Sequence, residues 1–318
     1  MLSEFEVISR YFTRAPRHTT LGVGDDAALF SVSEGCELAA STDMLVEGVH
    51  FFPDVDPQAL GHKALAVNLS DLAAMGALPR WTMLSLALPD VDTQWLEGFA
   101  RGFFALADKH GVDLIGGDTT RGPRNISVQI MGEVTRGRAL LRSGAKVGDD
   151  IWVSGQLGDA AAALAHRRGE LSLESPALER CRLRLDWPMP RVALGQELFD
   201  LAHSAIDLSD GLLGDLAHIC ERSGVGAEVE YSAVPCSADL LAMRDLAPVM
   251  RAVLAGGDDY ELCFTATPHS AAGIEALAGT LDIALTRIGR IVAGDAVSVL
   301  DAAGRPLPVG EKGFDHFR

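Results

Sequence analysis

The stretch from Ala64 to Arg80 reads A-L-A-V-N-L-S-D-L-A-A-M-G-A-L-P-R. At 3.6 residues per turn its apolar residues cover nearly every face, which is typical of a helix buried on all sides. Its polar residues are Asn68, Ser70 and Asp71, and Asn68 and Asp71 lie one turn apart on the same stripe. A buried carboxylate costs several kcal/mol, roughly, unless a partner neutralises it. Asp71 therefore predicts either a distant arginine or a bound cation.

The length of the chain, 318 residues, predicts two domains, each large enough for its own core. Strand-like and helix-like segments alternate, which indicates an α/β or α+β fold. Between residues 137 and 149 glycine and charged residues cluster without apolar periodicity. We place the boundary there, with an N-terminal domain at residues 1–137 and a C-terminal domain at residues 138–318.

The formal net charge of -17 argues against nucleic acid as a partner, because nucleic-acid binders normally carry a basic patch. The N-terminus lacks the basic region and apolar core of a signal peptide. No apolar run approaches the roughly 20 residues that span a bilayer, so no membrane association is expected. The five cysteines are scattered and never spaced C-x-x-C, which favours reduced thiols in the cytoplasm over a zinc site or disulfides.

Local patterns predict several elements. The buried helix is expected to run from Pro57 to Leu78, with proline at its start. A second helix is expected to begin after Asp92, which caps it, and to end at Gly111. A short strand at residues 112–115 runs into the predicted turn G-G-D-T-T-R-G at residues 116–122. The Arg-rich segment 167–190 predicts a variable helical excursion.

Acidic residues recur at predicted turns and strand ends along the whole chain. They are Asp25, Asp26, Asp43, Asp71, Asp118, Asp207, Asp210, Asp258 and Asp259. Several stand beside glycine, where backbone can approach a ligand closely. Carboxylates that converge without bases repel one another, and divalent cations resolve that conflict. Aspartate-dominated ligands favour Mg²⁺ over zinc, and the usual chemistry of such a site is phosphoryl transfer.

Other phosphate-binding motifs are absent or weak. The turn G-V-G-D-D-A, residues 22–27, matches a relaxed dinucleotide-binding pattern, but two aspartates there would oppose a bound pyrophosphate. No G-x-x-x-x-G-K-[ST] loop, protein-kinase motif set or G-x-S-x-G elbow occurs. An ordinary P-loop enzyme, a protein kinase and a serine hydrolase are therefore excluded.

Taken together, the order and wording of these motifs resemble the thiamine-monophosphate kinases, in the superfamily that includes aminoimidazole ribonucleotide synthetase. The resemblance runs from end to end. The matching stretches are G-V-G-D-D-A-A-L (22–29), S-T-D-M-L-V-E-G-V-H-F (41–51), A-L-A-V-N-L-S-D-L-A-A-M-G-A (64–77), L-I-G-G-D-T-T-R-G-P (114–123), G-R-A-L-L-R-S-G-A (137–145), A-I-D-L-S-D-G-L (205–212), G-G-D-D-Y-E-L (256–262) and G-F-D-H-F (313–317). The chain lacks the N-terminal reactive cysteine of selenophosphate synthetases and the cysteine-bearing tail of the hydrogenase-maturation members.

The resemblance implies a two-domain aminoimidazole ribonucleotide synthetase-like fold whose N-terminal domains pair in a homodimer. It implies transfer of the ATP γ-phosphoryl group to thiamine phosphate, giving thiamine diphosphate and ADP, the last step of thiamine diphosphate biosynthesis. The expected route is direct in-line transfer assisted by several Mg²⁺ ions, with no covalent nucleophile on the protein.

The resemblance also implies residue roles. The magnesium ligands would be Asp26, Ser41, Thr42, Asp43, Asp71, Asp118, Asp207 and Asp210. ATP would contact Gly117, Asp118, Arg142 and Ser209, and thiamine phosphate would contact His50, Asp258 and Phe314. Taken singly, Arg142 also fits a surface arginine, His50 a structural histidine and Phe314 a core aromatic. Many relatives carry glutamate where this chain has Asp258.

Two alternatives remain open at this stage. One is an ATP-dependent ligase or cyclase of the same superfamily, which would ignore thiamine phosphate. The other is a non-catalytic sensor that binds Mg²⁺-ATP and yields no ADP. Ligand-linked thermal stabilisation without turnover would identify the sensor.

Overall fold

The computed structural model describes residues 2–310 and residue 313. The chain forms two compact units. The first comprises the residues up to Leu72 together with Ala77–Arg138, and the second comprises Ala73–Gly76 and the residues from Ala139 onward. The last two residues of the helix that opens at Pro57 therefore group with the second unit.

The first unit is built on a four-stranded sheet. Its elements in chain order are α1 (Glu4–Val7), a π-helical turn (Ile8–Phe12), β1 (Thr19–Leu21), β2 (Leu29–Phe30), β3 (Cys36–Val46), α2 (Pro57–Ala74), β4 (Leu78–Leu88), α3 (Thr93–His110), β5 (Asp113–Arg121) and β6 (Asn125–Thr135). The strand order is β3-β6-β4-β5, in which only the β4–β5 pair is parallel. β1 and β2 form a separate two-stranded ribbon.

The sheet of the first unit has one buried and one open face. Along β6 the side chains of Ile126, Val128 and Ile130 are buried, while Gln129 between them is exposed. This alternation follows from the two-residue period of a strand. Edge strand β3 has an exposed residue at every second position from Leu38 onward.

Helix α2 is buried on all sides, as its sequence predicts. Every residue from Ala59 to Ser70 is buried, and Asp71 is half-buried. The helix ends earlier than the predicted Leu78, because Gly76 adopts a left-handed φ of 67°. The Ala77 N–H then bonds the Leu72 carbonyl at 2.9 Å and the chain turns into β4.

The capping residues of α3 are confirmed. The Asp92 carboxylate accepts the N–H groups of Gln94 and Trp95, and Gly111 ends the helix with a φ of 65°. The glycine conformation costs little there because glycine has no Cβ.

The second unit is a six-stranded mixed sheet flanked by helices. Its elements are β7 (Asp150–Ser154), α4 (Asp159–Arg167), α5 (Ser175–Asp186), α6 (Val192–Glu197), β8 (Ser204–Asp207), α7 (Leu212–Ser223), β9 (Gly226–Glu230), a 3₁₀ turn (Tyr231–Ala233), α8 (Ala238–Leu241), α9 (Ala247–Ala255), β10 (Leu262–Ala266), a second 3₁₀ turn (Pro268–Ser270), α10 (Ala271–Leu281), β11 (Leu285–Val292) and β12 (Val297–Leu300). The strand order is β12-β9-β11-β7-β10-β8, with β12–β9 the one parallel pair among these named strands.

One prediction for these regions needs correction. Strand β5 extends to Arg121, so most of the glycine-rich stretch predicted as a turn is strand. The reason is parallel pairing with β4, in which Gly117 and Asp118 lie opposite Leu84 and Ser85. The helical excursion predicted at residues 167–190 is confirmed, because that segment contains the twelve-residue helix α5, with Pro176 at its start.

All five cysteines are free thiols, as the scattered spacing predicts. Burial raises the pKa of Cys181 to about 12 and that of Cys220 to about 11. Among residues 2–310, no helix is both long and apolar enough to cross a membrane.

The burial of α2 yields a stability prediction. Leu65 has no exposed surface, so Leu65→Ala leaves a cavity and lowers the free energy of unfolding by about 2–5 kcal/mol. Leu183→Ala is the matched control, because Leu183 is 58% exposed on α5. Urea unfolding followed by circular dichroism measures both variants. Equal midpoints for the two would contradict the buried position of α2.

Candidate functional site

Strand β3 and helix α2 bring four polar side chains together. The Ser41 hydroxyl donates to Asp71 Oδ2 at 2.5 Å, and the Asp43 N–H donates to Asn68 Oδ1 at 3.2 Å. Asn68 is fully buried, and its amide nitrogen donates to the Ala64 carbonyl one turn earlier. The buried helix therefore holds two of the predicted magnesium ligands of β3, Ser41 through the Asp71 carboxylate and Asp43 through its backbone N–H and Asn68.

A cleft of about 740 Å³ in the first unit contains three further predicted residues, Asp26, Gly117 and Asp118. Its polar floor comes from the turn at residues 24–26 and from Asp118 and Thr119 of β5. Its apolar wall includes Ile8, Phe12, Leu84, Leu86 and Leu114. A cavity with an apolar wall and a few convergent polar groups is the usual form of a small-molecule site.

Gly117 is required by the neighbouring strand. Its φ is 149°, and a Cβ at this position would lie 1.8 Å from the Leu84 carbonyl oxygen. The space that the missing side chain leaves is thus filled by backbone of β4. Any contact of Gly117 with a ligand has to come from its own backbone.

Two of the predicted ligands already have partners in the protein. The Thr42 hydroxyl donates to the Val128 carbonyl at 3.1 Å. His50 Nδ1 accepts the Val46 N–H at 3.0 Å, which fixes the imidazole ring and its tautomer. His50 is half-exposed.

In the second unit, the predicted residues Asp207, Ser209 and Asp210 lie where β8 ends. Asp207 is 4% exposed, whereas Asp210 is exposed. The turn between β8 and α7 is held by Asp215, whose Oδ2 accepts the N–H groups of Ser209, Asp210 and Gly211, each at 3.1 Å. Burial raises the pKa of Asp215 to about 7; the Asp210 charge adds to this rise and the three N–H donors oppose it.

The predicted substrate residue Asp258 lies on a turn bonded directly to the Ser209 turn. The Asp258 N–H donates to the Ser209 carbonyl at 2.9 Å, and the Tyr260 N–H donates to the Leu208 carbonyl at 2.8 Å. Asp258 and Tyr260 have φ values of 69° and 50°, which cost energy for non-glycine residues. Gly257 allows the close approach, since a Cβ there would lie 2.3 Å from the Ser209 carbonyl oxygen.

The residues beneath this turn anchor it. The Asp259 carboxylate accepts the Gly158 N–H at 2.9 and 3.1 Å, and burial raises the pKa of Asp259 well above its usual range. Glu261 is 5% exposed and accepts both the Ser154 hydroxyl, at 2.5 Å, and a two-pronged contact from Arg191. The paired charges make this anchor rigid, because breaking either partner leaves a buried ion unpaired.

Arg142 lies on an exposed loop that α7 supports. The Ser223 hydroxyl at the end of α7 donates to the Arg142 carbonyl at 3.4 Å and accepts the N–H groups of Gly144 and Ala145. Phe314, the third predicted substrate contact, lies outside the described residues.

Across residues 2–310 and 313, no three Asp, Glu, His or Cys side chains lie close enough together to hold a metal ion by themselves. The predicted acids instead form smaller groups: Asp26 and Asp118 on one cleft, Ser41, Asp43 and Asp71 around α2, and Asp207 and Asp210 at the end of β8. Mg²⁺ usually takes one or two protein carboxylates and completes its octahedron with waters and substrate phosphates. These groups fit that mode of binding, in which the substrate supplies ligands.

Comparison with known proteins identifies the family. Models described as AIR synthase related protein match residues 24–134 with the N-terminal domain and residues 146–302 with the C-terminal domain. Over 320 residues the chain is 47% identical to the thiamine-monophosphate kinase of Salmonella typhimurium, covering 99% of this chain and 98% of that protein. The chain belongs to the thiamine-monophosphate kinase family.

Solved structures support the same family assignment. The thiamine-monophosphate kinase from Stenotrophomonas maltophilia K279a is 49% identical, with a TM-score of 0.85 over 92% of this chain and 94% of that chain. A structure of AaThiL complexed with AMPPCP and TMP is 33% identical, with a TM-score of 0.78 over 93% of this chain and 92% of that chain. The expected two-domain α/β fold of the family is confirmed.

Two residues that hold the turns of the candidate site in place were not predicted from the sequence. Asp215 orders the Ser209 turn, and Asp113 accepts the N–H groups of Arg17 and His18 and the Thr19 hydroxyl, which anchors the segment before the Asp26 turn. A sequence signal exists for Asp215, because it lies in the first turn of a helix, where carboxylates commonly meet backbone N–H groups. Asp113 carries no such local signal, since its partners are more than 90 residues away.

The strand contact of Gly117 gives a testable prediction. Gly117→Ala forces a Cβ against the Leu84 carbonyl and strains the backbone, so we expect a thermal midpoint several degrees below that of the parent protein. Gly22→Ala is the control, because a Cβ at Gly22 meets nothing within 4 Å and its φ lies outside the left-handed region. Differential scanning calorimetry compares them. A Gly117→Ala midpoint equal to that of Gly22→Ala would contradict the close approach of β5 to β4.

Proposed function

We propose that this protein transfers the γ-phosphoryl group of ATP to the phosphate of thiamine phosphate, giving thiamine diphosphate and ADP. The observation that carries the proposal is the likeness to AaThiL, whose structure holds AMPPCP and TMP and matches 93% of this chain. AMPPCP is an ATP analogue that cannot transfer its γ-phosphoryl group. A donor analogue and an acceptor together on a full-length relative correspond to the two substrates of this reaction.

Donor binding is assigned to Gly117, Asp118, Arg142 and Ser209. In the first unit, Gly117 and Asp118 belong to the cleft whose apolar wall suits a nucleobase and whose polar floor suits phosphate. In the second unit, exposed Arg142 is free to fork two bonds to a phosphate, and its loop is held by Ser223. Ser209 offers a hydroxyl from a turn that is fixed on two sides.

Acceptor binding is assigned to His50, Asp258 and Phe314. The Val46 N–H donates to Nδ1 of His50, which fixes the orientation of the imidazole ring. Asp258 Oδ1 accepts the Tyr260 hydroxyl at 3.2 Å, so its carboxylate has a defined direction. Phe314 offers a ring for a cation–π contact with the thiazolium, worth roughly 0.5–2 kcal/mol.

The proposed ligands would hold magnesium in three groups, with Asp26 and Asp118 in one, Ser41, Asp43 and Asp71, together with the neighbouring Thr42, in the second, and Asp207 and Asp210 in the third. Bound Mg²⁺ offsets the repulsion between two anionic phosphates and the charge that develops during transfer. The side chains orient the phosphates, and Asn68 holds the β3 backbone at Asp43 in register with α2. Transfer is in-line between the two substrates, and no residue serves as a covalent nucleophile.

The protein is proposed to act as a homodimer in the cytoplasm. Edge strand β3 carries Leu38 and Met44, which are 44% and 55% exposed, on the open face of the first-unit sheet. An exposed apolar edge strand is a liability unless another chain covers it. Five free thiols are in keeping with a reducing compartment.

The decisive experiment is thiamine diphosphate formation from ATP, Mg²⁺ and thiamine phosphate, with free thiamine as a parallel acceptor. We expect product from thiamine phosphate alone. ATP consumption only with a formylated amidine substrate would favour the ligase or cyclase alternative. Binding of Mg²⁺-ATP with thermal stabilisation and no ADP would favour the sensor.

The metal assignment gives a mutational prediction. Asp43→Asn and Asp118→Asn each remove a charge from the proposed magnesium groups, so we expect turnover to fall by at least about a hundredfold at ordinary Mg²⁺ with the fold intact. Asp90→Asn, at an exposed loop position, is the control and is expected to retain turnover. Steady-state assays over a Mg²⁺ series measure this. Near-normal turnover in both site variants would overturn the assignment.

The dimer gives a second prediction. Light scattering at micromolar protein is expected to show a mass of twice 33.7 kDa for the parent chain. Met44→Glu places a charge on the open apolar face and should yield monomer, whereas Leu183→Glu, on exposed α5, should not. A monomeric parent protein would rule out the homodimer.

A further inference from the structure

The carboxylate of Asp215 is bonded to the turn that precedes its own helix. Its Oδ2 accepts three successive N–H groups, from Ser209, Asp210 and Gly211, at 3.1 Å each, and Asp215 is 4% exposed. The Asp215 N–H in turn donates to the Gly211 carbonyl at 3.0 Å. Turn and first helical turn are thus tied by four hydrogen bonds.

Three consecutive N–H groups that converge on one point form a concavity that binds anions. This concavity also lies at the start of α7, a twelve-residue helix whose N-terminal end favours negative charge. Such a place would ordinarily attract a phosphate group. Here the protein fills it with its own buried carboxylate.

A simple helix cap does not explain this arrangement. Asp92, which caps α3, accepts N–H groups from Gln94 and Trp95, residues inside the helix it begins. The donors to Asp215 lie before α7, and the N-cap of that helix, Gly211, has no side chain to accept a bond. Asp215 therefore orders the preceding turn, which carries the proposed nucleotide residue Ser209 and the proposed magnesium residue Asp210.

We propose that Asp215 is a positioning residue for nucleotide binding: it fixes the Ser209–Asp210 turn and occupies the N–H concavity in place of a phosphate. Phosphate is consequently recognised at this turn through the Ser209 hydroxyl and a cation at Asp210. This inference rests on the proposed function, because it takes Mg²⁺-ATP as the ligand. It explains how the N–H concavity of residues 209–211, which would attract an anion, can lie next to the exposed carboxylate of Asp210.

The second support for the turn comes from residues 257–260. The Ser209 and Leu208 carbonyls accept N–H groups from Asp258 and Tyr260, and Gly257 has no room for a side chain. The turn is thus held both through its N–H groups and through the carbonyls of Leu208 and Ser209. Removal of the Asp215 carboxylate breaks the hydrogen bonds of the N–H groups of residues 209–211 and leaves those of the Leu208 and Ser209 carbonyls intact.

The test is equilibrium binding of Mg²⁺-AMPPCP to the full chain by calorimetry. Asp215→Ala is expected to weaken binding about tenfold or more, because the acceptor of three hydrogen bonds that hold the turn is lost. Asp92→Ala also removes a carboxylate that caps a helix, but that helix is α3 and not α7. This variant is expected to bind Mg²⁺-AMPPCP with an affinity within about twofold of the parent protein. Added formate, which can refill the concavity, should restore binding by Asp215→Ala and leave Asp92→Ala unchanged.

Amide hydrogen exchange gives a readout that needs no activity. The N–H groups of residues 209–211 should exchange faster in Asp215→Ala and slow again with formate. Should Asp215→Ala fail to fold, Asp215→Asn keeps the volume and one acceptor oxygen, and a smaller loss of affinity is expected. Unchanged affinity and unchanged exchange in a folded variant would overturn the proposal, as would equal weakening by Asp92→Ala.

The outcomes separate this inference from the proposed function. A parent protein that binds Mg²⁺-AMPPCP but forms no thiamine diphosphate refutes the kinase assignment and leaves the role of Asp215 to be decided by the binding and exchange results. A parent protein that does not bind Mg²⁺-AMPPCP refutes both.

Discussion

The first unit depends on the complete burial of α2. A helix that is solvated on one side can rotate or slide at modest cost, but a helix with contacts on every face has only one position that fills the core. Each large side chain it buries stabilises that position by roughly 1.5–3 kcal/mol. Because the roll of α2 is fixed, Asn68 and Asp71 have fixed places beside β3. The bonds to Ser41 and Asp43 follow from that geometry.

Three acids of this chain, Asp113, Asp215 and Asp259, are held by backbone N–H groups. Asp113 receives the N–H groups of Arg17 and His18, Asp215 those of its preceding turn, and Asp259 that of Gly158. Backbone donors stabilise a carboxylate without adding a basic side chain, which would compete for phosphate or reduce the pull on a cation. This explains how a chain with a net charge of -17 can order its loops and keep other acids, such as Asp26 and Asp118, exposed.

The sequence patterns predicted correctly those features of the fold that depend on neighbouring residues in the chain. The burial of α2 follows from its apolar period, and the ends of α3 follow from Asp92 and Gly111. They failed where a distant partner decides: residues 116–121 read as a glycine turn, but pairing with β4 makes them strand. The residues of the candidate site came from motif resemblance, whereas Asp113, which supports the segment before the Asp26 turn, depends on contacts that no local pattern records.

The hydrogen bonds between residues 208–209 and residues 258–260 have a thermodynamic consequence. They join the turn assigned to the donor nucleotide to the turn assigned to the acceptor, and strained backbone at Asp258 and Tyr260 lies on that junction. A ligand that tightens one turn pays part of the ordering cost of the other, so the second ligand meets a site already formed. Linkage then requires the effect to be reciprocal: whatever factor ATP adds to the affinity for thiamine phosphate, thiamine phosphate adds to the affinity for ATP.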